Sequence, residues 1–267
     1  MTKPPRGLPQ AIVRPRAAQT VFDVERIHPP VSLAEFVDYL WLVRWHAPEP
    51  HRQQVVPQPR VHIAAEDGRL LVHGVNRAPF SRTLRGDGHV LGAAFHPGGF
   101  RPLLGSSLGA ISGRVAPAGE LLGIDDAPVA ARILATTDAE EMSAALEDYL
   151  GLLPIRSDPT AAEVTRLVTY AETERSLTRA DALADHAGVS LRTLQRLFTE
   201  YVGIGPKWVI QRFRLLDAAQ AAHEGDAIDW ATLALELGFS DQAHLTRLFA
   251  RVVGTPPASY ARDPGTR

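Results

Sequence analysis

A chain of 267 residues exceeds one typical domain and suits two, each large enough to bury its own core. With 45% hydrophobic and 22% charged residues, no apolar run near the roughly 20 residues of a membrane span and no apolar segment after Met1-Thr2-Lys3-Pro4, it reads as a cytoplasmic globular protein without a membrane partner. The absence of cysteine excludes disulfides, thiolate catalysis and cysteine-based zinc fingers, and a net charge of −2 offers no bulk basic surface: residues 1–157 carry 16 cationic and 16 acidic side chains, and residues 158–267 carry 12 and 14.

In chain order, residues 1–19 are rich in Pro and Arg without periodicity, which predicts a flexible N-terminal arm. Strands are expected at 21–27, 39–45, 60–65, 69–73 and 90–95. Asp67-Gly68 lies between two of these apolar runs, a hairpin signal in which Gly accepts the positive φ of a type I′ turn. Ser32 and Glu35 fit a capping box, so a short helix is expected at 32–37. From 117 to 153 the period becomes helical: Val129, Ile133 and Leu134 form one stripe, and Met142, Leu146, Tyr149, Leu150 and Leu153 another. Those stripes either close the first domain or meet a partner subunit. Residues 154–159, with two prolines, read as a linker, and everything beyond as helix. The expected class is α+β: a mainly-β domain of barrel or sandwich type at 20–156, then an all-α domain at 157–267.

That second domain contains an internal repeat. Leu183-Ala184 and Gly188-Val189-Ser190 recur as Leu233-Ala234 and Gly238-Phe239-Ser240 at an offset of 50, whereas Leu194-Gln195-Arg196-Leu197-Phe198 recurs as Leu245-Thr246-Arg247-Leu248-Phe249 at an offset of 51. One residue is therefore inserted in the second copy. Gly188 and Gly238 sit where a first helix ends in a left-handed residue, and Ser190 and Ser240 where a second helix is capped. The pattern is helix, tight turn, helix, written twice at about 177–201 and 229–252. Residues 207–223, with Val209, Ile210, Phe213 and Leu216 on one stripe, join the copies as a linker helix.

The outward face of each second helix carries Arg192, Gln195 and Arg196 in the first copy and Gln242, His244, Thr246 and Arg247 in the second. Arg pairs with guanine and Gln with adenine in the major groove, so both faces are suited to reading bases. Lys207, Arg212, Arg214 and Arg251 add cations for phosphates, with Glu172, Glu174, Asp217, Glu224 and Asp226 expected on the far side. Two such helices on a rigid spacer would enter successive major grooves about 34 Å apart.

Residues from about Leu177 to Tyr260 resemble the DNA-binding domain of the AraC/XylS family of bacterial regulators. The motifs are Gly188-Val189-Ser190 through Leu197-Phe198, Gly238-Phe239-Ser240 through Leu248-Phe249, and Gly254-Thr255-Pro256-Pro257-Ala258-Ser259-Tyr260. The resemblance implies a seven-helix, two-lobed domain on promoter DNA, with base contacts from Arg192, Gln195, Arg196, Gln242, His244 and Arg247. The expected partners are double-stranded promoter DNA, RNA polymerase, a small-molecule effector and, from the apolar stripes at 129–153, a second copy of the chain. The first domain looks like the β-rich N-terminal domain of a subset of these regulators, with Tyr39-Leu40-Trp41, Val55-Val56-Pro57 and Phe95-His96-Pro97-Gly98-Gly99-Phe100 as points of likeness. Pro57-Gln58-Pro59 departs from the Pro-Asp-Gly common there.

Catalysis and metal binding are not expected. No nucleophile elbow or carboxylate pair stands out, and the seven histidines of the β half lack a His-x-His with a following Glu, so no cofactor or metal is anticipated. Trp41 and Trp45 share a strand face and are suited either to a core or to a ligand pocket, and His96-Pro97-Gly98-Gly99 either to a turn or to an anion site before a helix.

Overall fold

The structure, a computed structural model, describes residues 20–154, 157–224 and 228–262; the arm assigned to 1–19 and the acidic Asp226 lie outside them. Its fold is α+β. Among the described residues six strands, β1 (Phe22–Ile27), β2 (Val37–Val55), β3 (His62–Glu66), β4 (Arg69–His73), β5 (Phe80–Phe95) and β6 (Val115–Pro117), form one sheet in the order β1-β2-β5-β3-β4-β6, with every adjacent pair antiparallel. The β3–β4 turn has Asp67 at φ 51° and Gly68 at φ 77°, the paired positive φ values that a type I′ turn requires.

Two strands are much longer than their apolar runs. β2 continues to Val55 through Pro48 and Pro50, and its pairing with β5 shifts register between Ala47 and His51. A bulge tolerates proline because the interrupted ladder needs no amide there. The expected helix at 32–37 does not form. Residues 31–36 are turns in which Val37 N–H donates to Leu33 C=O at 2.8 Å. The supposed capping pair is spent elsewhere: Ser32 Oγ donates to Glu147, and Glu35 accepts from Ser157, both at 2.6 Å.

One sheet face is the first core. Leu40, Leu42, Ile63, Leu70, Val72, Leu91 and Phe95 pack against helices α3 (Ala127–Leu134) and α4 (Ala139–Gly151), which follow the short α1 (Arg101–Leu104) and α2 (Ala118–Leu122). The stripe of Met142, Leu146, Tyr149, Leu150 and Leu153 is buried in this core, as is Ile133, with Val129 and Leu134 packed against it. These residues serve the chain's own sheet and not a partner subunit.

A buried carboxylate joins the layers. Asp126, fully buried, accepts from Arg69 Nε at 3.0 Å, Arg69 Nη2 at 2.6 Å, Leu70 N–H at 2.8 Å and Gly119 N–H at 3.1 Å. Burial disfavours its charge, yet the bonds from Arg69 and the two amides outweigh burial and hold the carboxyl below the ordinary carboxylate range. A depressed folded-state pKa gives stability that is complete above the unfolded value and lost as pH falls through the folded one. Asp126→Asn is therefore expected to cost about 1–3 kcal/mol at neutral pH and to flatten the acid limb of stability measured by urea unfolding. An acid limb superimposed on the wild-type one would contradict an ionised Asp126.

The C-terminal part is helical: α5 (Pro159–Thr173), α6 (Ala180–His186), α7 (Leu191–Tyr201), α8 (Pro206–Glu224), α9 (Trp230–Glu236), α10 (Gln242–Val253) and α11 (Pro257–Arg262). They form two lobes. Val164, Leu167, Leu183, Leu194, Phe198, Val209 and Phe213 fill the first, and Leu215, Leu216, Ala219, Ala234, Leu245, Phe249 and Tyr260 the second. Helix α8 contributes to both cores, so it carries apolar residues nearly all round, as a shared central helix must.

Candidate nucleic-acid interface

Each repeat closes its first helix with the same backbone device. In the first, Val189 N–H donates to Ala184 C=O at 3.0 Å and Gly188 N–H to Asp185 C=O at 3.1 Å; in the second, Phe239 N–H donates to Ala234 C=O at 2.9 Å and Gly238 N–H to Leu235 C=O at 3.0 Å. Both are Schellman motifs with a left-handed glycine, at φ 65° in Gly188 and 78° in Gly238. The turn fixes the angle at which the second helix leaves. At Gly238 the missing side chain has a further use, because a Cβ there would sit 2.4 Å from Thr178 Cβ. The corner of the second unit is thereby packed against the entry to the first, which ties the two units together.

The second helices begin differently. Ser190 Oγ accepts from Thr193 N–H at 3.1 Å and caps α7 as expected. In the second unit the cap is Asp241, not Ser240: the Asp241 carboxylate accepts from His244 N–H at 2.7 Å. The inserted residue enters between corner and helix, which moves Ser240 one position out. Its hydroxyl instead contacts Asp241 at 3.2 Å and His244 Nδ1 at 3.2 Å. The His244 amide above all, with the Ser240 hydroxyl and the nearby Arg247 and His244 contributing, holds the Asp241 carboxyl below the ordinary range.

Arg192, Gln195 and Arg196 are exposed on α7, opposite the buried Leu194, Phe198 and Tyr201. On α10, Gln242, Arg247 and Arg251 are exposed opposite Leu245, Phe249 and Val252. His244 and Thr246 are half-buried, and the His244 ring meets Phe239 edge-on at 5.6 Å. Lys207 is exposed at the start of α8. Ion pairs hold arginines such as Arg44, Arg69, Arg82 and Arg101, whereas among the described residues none engages Arg192, Arg196, Lys207, Arg247 or Arg251.

Two expected phosphate-side cations are not on this surface. Arg212 is buried and donates from Nε to Pro57 C=O at 2.8 Å. Burial first, then the nearby Arg60 charge, pushes its pKa down to about 10. Arg214 is also buried, donating to the C=O of Ala171, Glu174 and Arg175 at 2.9, 2.9 and 2.5 Å, beside Asp217 Oδ2 at 3.3 Å from Nε. Asp217, expected on an outer face, is buried with it. Both arginines lie on the stretch of α8 that packs between the lobes, so helical position alone does not bring a cation to the surface.

Sequence reasoning missed the contacts between the halves. Val56, from the end of the long β2 arm, is buried in the second lobe's core; Arg101 pairs with Glu200 at 3.1 Å; Thr165 Oγ1 donates to Pro97 C=O at 2.5 Å. His96-Pro97-Gly98-Gly99 forms a turn, closed by Gly99 N–H on His96 C=O at 2.8 Å. The extra length of β2 was the available signal, hidden by its prolines.

The family model described as a helix-turn-helix domain matches residues 183–263, and one described as a domain of unknown function (DUF6597) matches residues 25–117. A putative AraC-like transcription regulator of Streptomyces lividans is 37% identical over 114 residues, 43% of this chain and 36% of its own. The probable transcription factor PqrA of Proteus vulgaris is 37% identical over 86 residues, 32% of this chain and 69% of its own. The transcriptional activator NphR of a Rhodococcus species is 28% identical over 220 residues, 82% of this chain and 59% of its own.

Proposed function

The chain belongs to the AraC/XylS family of transcription regulators, and on that premise we propose that it binds double-stranded promoter DNA through the exposed faces of α7 and α10. The observation that carries the reading is the pair of Schellman-closed corners, each followed by a helix with outward cations that no ion pair engages among the described residues. Arg192, Gln195 and Arg196 would read one groove segment, and Gln242 and Arg247 the next. His244 and Thr246 would contribute at the edge, and Lys207 and Arg251, with the amides capped by Ser190, would meet phosphates. Helix α8, 19 residues long, would span about 28 Å at 1.5 Å per residue, comparable to the one-turn spacing of successive major grooves.

The division into a regulatory half at 20–156 and a DNA-binding half at 157–267 belongs to the same proposal. The β half would modulate binding through a small-molecule effector or a second copy of the chain, with RNA polymerase as a further partner. Any self-association would use a surface other than the apolar stripes of α3 and α4. The direct test is a salt titration of binding to duplexes selected from a random pool. Affinity should fall linearly in log–log form, with a slope of about −0.9 per phosphate neutralised. A slope near zero, or no selected duplex, would overturn the proposal.

A further inference from the structure

The second face of the sheet has no helical layer among the described residues and lines a cavity of ≈ 260 Å³. Its floor is aromatic. Trp41 and Trp45 face Gly92 and Gly88 across β2 and β5, and a Cβ on those glycines would stand 2.4 Å from Trp41 Cζ2 and 2.3 Å from Trp45 Cζ2. The indoles therefore lie flat over the strand, and the two glycines are what admit them. The buried Trp41 Nε1 has no hydrogen-bond partner among the described residues. An engineered cavity of about 150 Å³ accepts benzene, so this one has room for a fused pair of rings.

The charges on the wall are unequal. At one end Glu66 serves both His73, at 3.0 Å, and Arg82, at 2.5 Å. At the other, Arg26 and Arg60 both sit over the Tyr39 ring, with Cζ 4.4 and 5.7 Å from its centroid. Arg60 is paired with Asp38, whereas Arg26, exposed at the mouth, makes no ion pair among the described residues. Between the two ends His62 is neutral, since burial first, then Arg60 and His73, pushes its pKa down to about 3. The Tyr39 end thus holds, beside aromatic walls, the Arg26 cation, which no ion pair engages among the described residues.

We propose that this cavity binds a small planar aromatic acid, its ring on Trp41 and Trp45 and its carboxylate on Arg26. Flat rings stack on indoles, and a guanidinium engages a carboxylate through two parallel bonds. The proposal rests on reading the β half as the regulatory one. It also supplies a route outward: Val55, Pro57 and Gln58 line the same cavity, while Val56 is buried in the second lobe's core and the Pro57 carbonyl holds Arg212. A ligand at the Tyr39 end touches the segment that docks on the reading half.

Isothermal titration of the full chain with 2-naphthoate, 2-naphthamide and octanoate tests the class. Saturable one-to-one binding of 2-naphthoate is expected, with the other two at least tenfold weaker. Arg26→Gln should lower 2-naphthoate affinity at least tenfold and leave 2-naphthamide unchanged. No saturable heat with 2-naphthoate, equal affinity for acid and amide, or an unaffected Arg26→Gln variant would each overturn the proposal. DNA affinity measured with and without saturating 2-naphthoate separates the two readings: tight acid binding with unchanged DNA affinity would uphold the site and refute its regulatory role.

Discussion

Arg214→Ala is expected to destabilise the protein by about 3–5 kcal/mol, the range for removing one member of a buried, charged, hydrogen-bonded set. The guanidinium spans the C-terminal end of α5, donating to the carbonyls of Ala171, Glu174 and Arg175, which the helix itself leaves unsatisfied. It also neutralises Asp217 from the next turn of α8. Truncation would remove a donor from three carbonyls, of which, among the described residues, only that of Glu174 keeps a backbone one, from Leu177 N–H at 3.2 Å, and would leave the buried Asp217 carboxylate with the more distant Arg175, at 3.5 Å, in place of its buried partner. Lysine should recover little, because one ammonium lacks the planar fork that reaches separate carbonyls. Since whole domains are stable by only about 5–15 kcal/mol, this single change removes a large share. Urea unfolding measures it, and a loss below about 1 kcal/mol would mean that water replaces the guanidinium without strain.

Arg196→Ala and Arg247→Ala are each expected to weaken binding to a selected duplex by about 1–3 kcal/mol and to relax base preference at one step. Both side chains are exposed and neither supports a core, so folding should be untouched. The two positions lie on separate helices without a shared partner, so the double variant should lose about the sum. By contrast, Lys207→Ala should weaken all duplexes alike, because a phosphate contact carries no base information. Fluorescence anisotropy on the selected duplex and single-base variants measures these effects. If Arg196→Ala or Arg247→Ala kept full affinity and unchanged preference, the assigned faces would be wrong.

The repeat was legible because its signals are local: a left-handed glycine, a small residue where helices cross, and an apolar stripe each act within one turn of chain. The change of offset from 50 to 51 even located the insertion, although not its consequence. Only the structure puts Asp241 at the cap and Ser240 outside it. The hairpin at Asp67-Gly68 was legible for the same reason, as turn chemistry depends on two residues.

What failed depended on distant contacts. Arg212 and Arg214 read as surface cations because a lone helix exposes such residues, but α8 is enclosed by both lobes and by the β2 arm. Ser32 and Glu35 read as a local capping pair, yet each hydrogen-bonds a residue more than 100 positions away. Pro48 and Pro50 concealed the length of β2, since a bulge that admits proline is set by the partner strand. The cavity was half visible in Trp41 and Trp45. Their facing glycines gain meaning only through the register of β2 with β5.

The central claim is that two reading helices of one chain engage one duplex together. Hydroxyl-radical footprinting of the full chain on a selected duplex tests it most directly. Two protected patches on one DNA face, centred about 10–10.5 base pairs apart, are expected, with Arg196→Ala diminishing one and Arg247→Ala the other. A single patch that both variants diminish equally would contradict the account.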